Sequence, residues 1–392
     1  MRTLVIGPLS PFRSGVARHT TALVRELAQR PGIELSVLSF SRQYPRILFP
    51  GSDDRDSETS PPEGVEIDFC LDSIDPLNWH SQSKRMWRTR PELAIIPAWT
   101  FFIALCLGAL ARSLRKNQVP VTMVVHNAED HEAALWKRAL SRFQLRQADR
   151  FITHNSTIAD DLARIVPGIP TIVHPHPIFD EYPEPKGSLP ISAALELLFF
   201  GIVRPYKGLD VALKAFAAAK LPDARLSIVG EIWDDGGEMR GLIDSLGLSD
   251  RVNLVSRYVS DQEAAEYFAR CDAVLAPYRS ASASGVVALA QRYGRPIIAS
   301  DIPGLAASVI DGKTGWLFPA GDTEALADLL RTKVSRASAA AMQHALARTR
   351  DELSWRRFAD AILAPYAHAA GKGPSQNPSK ISPGGGDAGR NR

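Results

Sequence analysis

Two cations stand close together just after a predicted strand in the second half of the chain. The run GIVRPYKG at 201–208 follows an apolar segment and leads into a helical pattern. Ligands of open parallel sheets bind beyond the carboxyl ends of the strands. A guanidinium can hold phosphate oxygens with two parallel hydrogen bonds, and an ammonium adds a mobile point charge. Arg204 and Lys207 therefore predict a diphosphate site, whereas the alternative is a solvated loop with incidental charge.

Two helix starts in the sequence are built from small residues. SASASGVV follows a predicted strand at 273–277, and its Ser282, Ser284, Gly285 and Val286 would leave first-turn amides open to a phosphate, with Ser284 as the N-cap. Gly15 follows the first strand and either lets a backbone amide approach an anion or merely forms a turn. Neither run is G-x-G-x-x-G, which argues against an ordinary nicotinamide dehydrogenase.

The elements that must position these residues are short apolar runs that alternate with helical patterns. Most of these runs are apolar throughout, which is typical of parallel strands covered by helices on both faces. Strands are predicted at 3–7, 34–40, 92–97, 122–127, 150–154, 171–174, 195–201, 225–230, 252–256, 273–277, 296–300 and 315–318. Two successive series predict an α/β protein with two Rossmann-like, doubly wound parallel sheets that face each other across a cleft.

The domain boundaries follow from breaks in this pattern. The Pro-rich run at 175–190 separates an acceptor-side domain, 1–187, from a donor-binding domain, 188–350. A terminal helix at 351–370 is expected to pack back on the first domain, and the Gly/Pro/Ser-rich tail at 371–392 is expected to be disordered. Residues 41–80 are interpreted as an irregular excursion.

Composition excludes several classes of protein. The chain has 392 residues and a net charge of +3, but the last 22 residues carry four cations against one acid, so the remainder is close to neutral. This argues against nucleic-acid binding. The three cysteines have no metal-site spacing and suit a reducing compartment. Without a signal-peptide layout before the first strand, a cytoplasmic location is expected.

Two features leave a membrane contact open. The apolar stretch at 99–111 is too short to cross a bilayer and is either a buried helix or one lying on a membrane surface. Arg138, Arg142 and Arg146 recur every four residues and form either a solvated face or a contact with anionic lipid headgroups or a lipid-linked acceptor. The expected location is therefore cytoplasmic, with possible attachment to the inner face of the cell membrane.

Longer blocks of the chain resemble glycosyltransferase family 4 over residues 1–370. The second half of the chain resembles the donor-binding domain of this family in four blocks: FFGIVRPYKGLDVALKAFA, LSIVGE, RVNLVSRYVSDQEAAEYFARCDAVLAPYRSASASG and GRPIIASDIPGLAASVIDGKTGWLFPAGD. The first half agrees in GVARHT, in His126-Asn127 and in THN at 153–155. SFSRQYPRILFPG, LDSIDPLNW and HPHPIFDEY are similar to a bacterial subgroup that builds envelope or exported glycans.

The resemblance implies a GT-B fold and a retaining transfer from a nucleotide-diphosphate sugar to a glycan or lipid-linked acceptor, with no required metal or cofactor. Arg204 and Lys207, in the loop that opens at Gly201, would bind the donor diphosphate. His126 would lie beside the transferred sugar, although a histidine at a strand end is often structural. The remaining positions are implied at the nucleotide: Gly15 at the phosphates, Gly230 and Glu231 on the nucleotide side, and Tyr258 beside the base.

Two departures from the family pattern leave other functions open. The two glutamates spaced E-x7-E fall on Ala281 and Leu289, so both carboxylates are missing. The usual arginine slot falls on Ile202, and Arg204 belongs to an R-P-Y-K-G variant. The alternatives are a nucleotide-sugar epimerase, which would need acid/base groups around the sugar, and a degenerate partner of an active glycosyltransferase.

Overall fold

The protein is described by a computed structural model, with residues 1–45, 55, 60–128, 134–178, 182–187, 189–232, 236–281 and 284–367 placed. The predictions for Ser282 and for the tail at 371–392 lie outside the described residues.

The chain forms two parallel sheets, one after the other. The first holds β1 (Arg2–Ile6), β2 (Glu34–Arg42), β3 (Ile67–Asp72), β4 (Leu93–Ala98), β5 (Val121–Val125), β6 (Arg150–Thr153) and β7 (Thr171–Val173). The second holds β8 (Leu195–Phe200), β9 (Ala224–Val229), β10 (Val252–Val255), β11 (Ala273–Ala276), β12 (Ile297–Ser300) and β13 (Gly315–Phe318). The predicted pair of doubly wound sheets is confirmed.

Helices follow almost every strand and cover the sheets. They are α1 (Gly15–Ala28), α2 (Pro76–Met86), α3 (Phe101–Lys116), α4 (Leu135–Leu145), α5 (Ser156–Ile165), α6 (Leu209–Ala218), α7 (Gly236–Ser245), α8 (Asp261–Arg270), α9 (Gly285–Arg292), α10 (Pro303–Ala306), α11 (Thr323–Thr332), α12 (Arg336–Glu352) and α13 (Trp355–Ala367). Central strands such as β4 and β5 are buried along their whole length, which explains why they are apolar throughout.

The strand order fixes where ligands can bind. The sheets run β3-β2-β1-β4-β5-β6-β7 and β10-β9-β8-β11-β12-β13, so each winds outward in both directions from its first strand. The switch points lie between β1 and β4 and between β8 and β11, where the loops that leave adjacent strands diverge and open a crevice. The loop after β8 carries the charged motif GIVRPYKG, and the loop after β11 carries the small-residue motif SASASGVV.

The interpretation of residues 41–80 as an irregular excursion is wrong for the described part of this range, and residues 46–54 and 56–59 lie outside the described residues. This stretch contains the end of β2, all of β3 and the start of α2. In β3, an edge strand, Asp68 and Cys70 separate the apolar residues Ile67, Phe69 and Leu71. The start of α2 carries ordinary signals: Asp75 accepts a hydrogen bond from the amide of Leu77, and proline occupies the first turn.

The apolar stretch at 99–111 forms the first part of α3, whose sheet-facing side is buried. Gly108 approaches Phe143 of α4 closely, since a Cβ there would lie 2.6 Å from the ring. Helix packing thus accounts for most of the apolar residues. No helix among the described residues is long and apolar enough to cross a membrane.

The last helix returns to the first sheet. α13 packs on α1, and the indole of Trp355 donates a hydrogen bond of 2.6 Å to the carbonyl of Ile178. The hydroxyls of Tyr366 and Thr122 lie 2.9 Å apart. The chain therefore runs from the second sheet back over the first.

Candidate active site

The loops after β8 and β11 are locked together at the switch point of the second sheet. Gly208 has a φ of +66°, and a Cβ on it would lie 2.0 Å from the carbonyl oxygen of Pro277. Arg279 donates to the carbonyls of Pro205 and Tyr206, each at 2.7 Å, and to the carboxylate of Asp210. The loop that carries Arg204 and Lys207 is therefore held in one position by backbone contact and a buttressing ion pair.

Lys207 points into the protein from this loop. Its side chain is only 9% exposed, and its ammonium lies near the ring of Tyr278, with Nζ 5.6 Å from the centroid. Loss of hydration lowers the pKa of Lys207 to about 8. No carboxylate within the described part of the chain forms an ion pair with this ammonium. The fold thus holds a buried cation that lacks a counter-ion among the described residues.

Lys207 also adjoins the start of α9. A Cβ on Gly201 would lie 3.2 Å from Nζ of Lys207 and 3.4 Å from Val286, so both side chains border the same glycine. The first amides of α9, at Gly285 and Val286, have no acceptor within their own helix. An ammonium and helix N-terminal amides on one side of Gly201 form an environment that favours an anion.

Ser284 lies at the predicted N-cap position of α9 but does not cap with its side chain. Its hydroxyl lies 3.5 Å from that of Tyr278, with no side-chain hydrogen bond to the helix amides. The prediction of a serine cap is correct in position and wrong in contact. This orientation leaves the first-turn amides available to a ligand.

Two glycines bring the ends of β8 and β9 into backbone contact. Gly230 has a φ of +146°, and a Cβ on it would lie 2.2 Å from the carbonyl oxygen of Gly201. The amide of Val203 donates to the carbonyl of Glu231 at 2.7 Å, which continues the pairing beyond the strands. Gly201, Gly230 and Glu231 therefore line one continuous edge with Lys207.

Arg204 and Tyr258 occupy the rim of the site. Arg204 is half-buried at the start of a 3-10 turn, and its charge acts on the nearby phenol of Tyr206. Tyr258 is 37% exposed, with the guanidinium of Arg13 4.8 Å from its ring centroid and Arg18 donating to its hydroxyl at 3.3 Å. Tyr258 thus touches the first half of the chain as well as the second.

Arg18, on α1, ties the two halves together across the cleft. It donates to both carboxylate oxygens of Asp261 at 2.9 and 3.0 Å, and its guanidinium lies 4.8 Å from the ring centroid of Tyr182. Gly15 begins the same helix, and a Cβ there would meet no atom within 4 Å. Protein packing therefore does not require glycine at this position. Arg13 and Arg18 lie on either side of Gly15 in the sequence, but no sequence pattern singled them out as bridging residues.

His126 follows β5 and belongs to a cluster that the sequence did not predict. Its ring centroid lies 4.6 Å from that of His19 and 5.3 Å from that of His154. Burial lowers the pKa of His126 to about 3, so its imidazole is neutral at physiological pH. In the sequence, His19 lies on the helix α1 and His154 follows the strand β6. These positions alone do not show that the two side chains meet.

The positions of the two missing glutamates differ in their surroundings. Leu289 is buried in the core of the second half, whereas Ala281 is half-buried in the loop before α9. An apolar side chain in the core at 289 can bind no sugar hydroxyl. Binding of the donor must therefore depend on other groups than this pair.

Comparisons with known proteins agree with this geometry. The family described as Glycosyltransferase Family 4 matches residues 13–188, and the one described as Glycosyl transferases group 1 matches residues 194–335. D-inositol 3-phosphate glycosyltransferase of Mycobacteroides abscessus is 32% identical over 240 residues, 57% of this chain and 52% of the relative. GDP-mannose:glycolipid 4-beta-D-mannosyltransferase of Xanthomonas campestris is 30% identical over 217 residues, 54% and 59% respectively. The chain thus spans little more than half the length of the curated relatives it matches.

Solved structures share the whole fold. Sucrose-phosphate synthase from Thermosynechococcus elongatus superposes with a TM-score of 0.73 at 18% identity, covering 94% of this chain and 99% of that one. Anabaena HepE, solved in complex with UDP, gives 0.71 at 16% identity, covering 93% and 100%. Two parallel sheets in this arrangement constitute the GT-B fold. The two halves of the chain thus match two glycosyltransferase families, the first half Glycosyltransferase Family 4 and the second half Glycosyl transferases group 1.

Proposed function

We propose that this protein transfers a sugar, with retention of configuration, from a nucleotide-diphosphate sugar to an acceptor hydroxyl. The observation that carries the proposal is the buried ammonium of Lys207, which has no carboxylate partner among the described residues and adjoins the first turn of α9. A dianionic diphosphate would neutralise it, and Arg204 would close the site from the rim. HepE was solved with UDP and with UDP-glucose, which supports a nucleotide sugar as donor.

The transfer itself needs stabilisation of the departing nucleoside diphosphate. Negative charge builds on the phosphate oxygen as the sugar leaves, and a cation already desolvated in the protein stabilises that charge more than one in water. We infer that the acceptor hydroxyl attacks from the face that the diphosphate leaves, and that the departing phosphate oxygen takes its proton. Neutral His126 would then bind sugar hydroxyls and not act as a cation. In this proposal no metal or cofactor is required.

The nucleotide would lie along the edge formed by Gly201, Gly230 and Glu231, with Tyr258 near the base. Gly15 would let the start of α1 approach the donor phosphates from the opposite side, in the open space that a Cβ there would enter. Arg18 would keep the two halves at the distance that this requires, because it binds Asp261 across the cleft. Closure of the cleft would exclude water and limit hydrolysis of the donor.

We further propose that the acceptor is lipid-linked and belongs to envelope or exported glycan synthesis. Leu135 and Trp136, at the start of α4, are 82% and 58% exposed, beside Lys137 and the basic Arg142. Apolar and cationic side chains on one exposed helix suit the boundary of an anionic bilayer. The protein would then be cytoplasmic and peripheral. Sedimentation with anionic vesicles should be lost in Trp136→Ser, and equal sedimentation of both proteins would contradict this attachment.

A donor screen tests the function directly. Labelled nucleotide sugars are incubated with the protein and membrane-extracted lipid acceptors, and Lys207→Ala is compared with Lys313→Ala, an exposed lysine before β13. We expect turnover to fall at least tenfold in Lys207→Ala, about 1.4 kcal/mol of barrier, and to stay unchanged in the control. Equal turnover in both variants would remove Lys207 from the site. Isomerisation of the donor without acceptor would indicate an epimerase, and absence of nucleotide binding a degenerate partner.

A further inference from the structure

Four histidines from separate segments meet beneath α13. They come from α1 (His19), the end of β5 (His126), the end of β6 (His154) and the segment after β7 (His176). The ring of His19 lies 4.6, 5.0 and 5.3 Å from those of His126, His154 and His176, measured between centroids. Trp355 packs against His19 at 4.7 Å and so covers the cluster with the last helix.

Three of these imidazoles keep a buried nitrogen unused. Nε2 of His19, of His126 and of His154 is inaccessible to solvent and has no hydrogen-bond partner within the part of the chain that the structure describes. Buried polar atoms are nearly always paired, because an unpaired one loses its hydration without compensation. Three such atoms in one cluster therefore require an explanation that a packed core does not supply.

The protonation state of the cluster suits a metal ligand. Burial and the neighbouring histidines lower the pKa of His19 and of His154 well below the usual range, so both rings are neutral. Nδ1 of His154 lies 3.2 Å from the carbonyl oxygen of His174, to which it donates in the neutral ring. That bond leaves the lone pair on Nε2. A backbone carbonyl commonly orients metal-binding imidazoles in this way.

The distances allow a small transition-metal ion. One nitrogen from each of His19, His126 and His154 lies within 4.8 Å of the other two. Some point therefore lies no more than 4.8/√3, or about 2.8 Å, from each of the three atoms, against about 2.0–2.1 Å for a zinc–imidazole bond. Each ring would have to move inward by less than about 1 Å, which small side-chain rotations provide.

We propose that His19, His126 and His154 form a binding site for a divalent transition metal of the zinc class, with one coordination position left open. Three neutral imidazoles with no carboxylate in the set disfavour magnesium and calcium, which prefer oxygen ligands. The three ligands belong to the first half of the chain and Lys207 to the second, and the proposed transfer requires no metal. A metal and a donor sugar would compete for His126, a consequence that rests on the proposed function.

Cobalt substitution tests the site without any assay of transfer. The full chain is freed of metal with a chelator and titrated with Co²⁺ alone at pH 7.5, without nucleotide, because Zn²⁺ has no visible spectrum. We expect one equivalent to bind with the intense visible absorption of a four- or five-coordinate ion. Zn²⁺ should displace the colour and raise the melting temperature, since it binds only the folded state.

Matched variants decide whether these histidines are the ligands. His154→Gln and His126→Gln should each weaken Co²⁺ binding at least tenfold, whereas His344→Gln, in the exposed part of α12, should not. Near-ultraviolet circular dichroism verifies that each variant is folded, and either ligand variant suffices if the other fails to fold. A folded wild-type chain that gives no such absorption, or ligand variants that bind Co²⁺ as tightly as His344→Gln, would overturn the proposal.

Discussion

Replacing Lys207 by methionine should stabilise the protein while abolishing donor binding. Methionine keeps much of the apolar stem and removes the charge. Desolvation lowers the pKa of Lys207 from 10.5 to about 8. Each pKa unit corresponds to about 1.36 kcal/mol, so the desolvation of this charge costs the folded protein about 3 kcal/mol at pH 7. That cost is removed in Lys207→Met, although part of the gain is lost if the site relaxes around the shorter side chain.

The pH dependence of stability provides an internal check on this reasoning. A folded-state pKa below the unfolded value means that the unfolded chain binds more protons between the two values. The free energy of unfolding contributed by Lys207 therefore rises as the pH increases from about 8 to about 10. The concentration of guanidinium chloride at the midpoint of unfolding should rise over this pH range for the wild-type protein and should not rise for Lys207→Met. Lys313→Met, which removes an exposed lysine, is the control for loss of charge alone.

Calorimetric titration with UDP completes the test. At pH 7 we expect Lys207→Met to bind UDP at least tenfold more weakly than wild type, with a higher unfolding midpoint. The opposite pair of results, lower stability with unchanged UDP affinity, would show that Lys207 is a structural residue that has a partner in solution. Lys207 would then not mark an anion site.

Three further predictions follow from the same geometry. The affinity of the wild-type protein for UDP should fall about tenfold from pH 7 to pH 9. One unit above a pKa of about 8, only about a tenth of Lys207 is charged, while the phosphates of UDP are already ionised at pH 7. A calorimetric affinity that does not change with pH would contradict this. Gly208→Ala should lower the melting temperature and UDP affinity far more than Gly247→Ala, since both glycines have positive φ but only at Gly208 does a Cβ meet a carbonyl, at 2.0 Å; equal effects would refute the locked loop. A double-mutant cycle of Arg18→Ala and Asp261→Ala should give a coupling of about 1 kcal/mol in unfolding free energy for this partly buried bidentate pair, and strict additivity would show that the contact does not join the two halves.

Much of the architecture follows from local pattern alone. All twelve predicted strands are present within a few residues of their predicted ends, because strands covered on both faces are apolar throughout. The strand that was missed, β3, lies at the edge of its sheet, where Asp68 and Asp72 face solvent and interrupt the apolar run. The other edge strands, β7, β10 and β13, contain no acidic residue and were predicted.

Only some features of the candidate site could be predicted from the sequence. Arg204 and Lys207 could be predicted, because parallel strands all end at one edge and the loops that follow them converge there. The burial of Lys207 and its lack of a carboxylate partner in the described chain could not be predicted. Both depend on which distant residues surround the ammonium, such as Tyr278 from a loop some 70 residues later. The histidine cluster illustrates the same limit more strongly: its members come from four segments of the first half, and only the tertiary fold brings them together.

The cost of Lys207 also bears on the choice between an enzyme and a degenerate partner protein. With Leu289 in the core, one of the two carboxylate positions cannot contact the donor, so a chain that had lost donor binding would gain stability by burying an apolar residue at 207 as well. Instead the charged group is held beneath a loop that Gly208 and Arg279 fix in place. A buried cation with no carboxylate partner among the described residues is explained by an anion that arrives from solution, and a chain that only stabilises a partner has no use for it. Direct measurement of UDP binding to the wild-type protein separates the two: binding that Lys207→Met removes supports the transferase, and no binding by folded wild-type protein supports the partner.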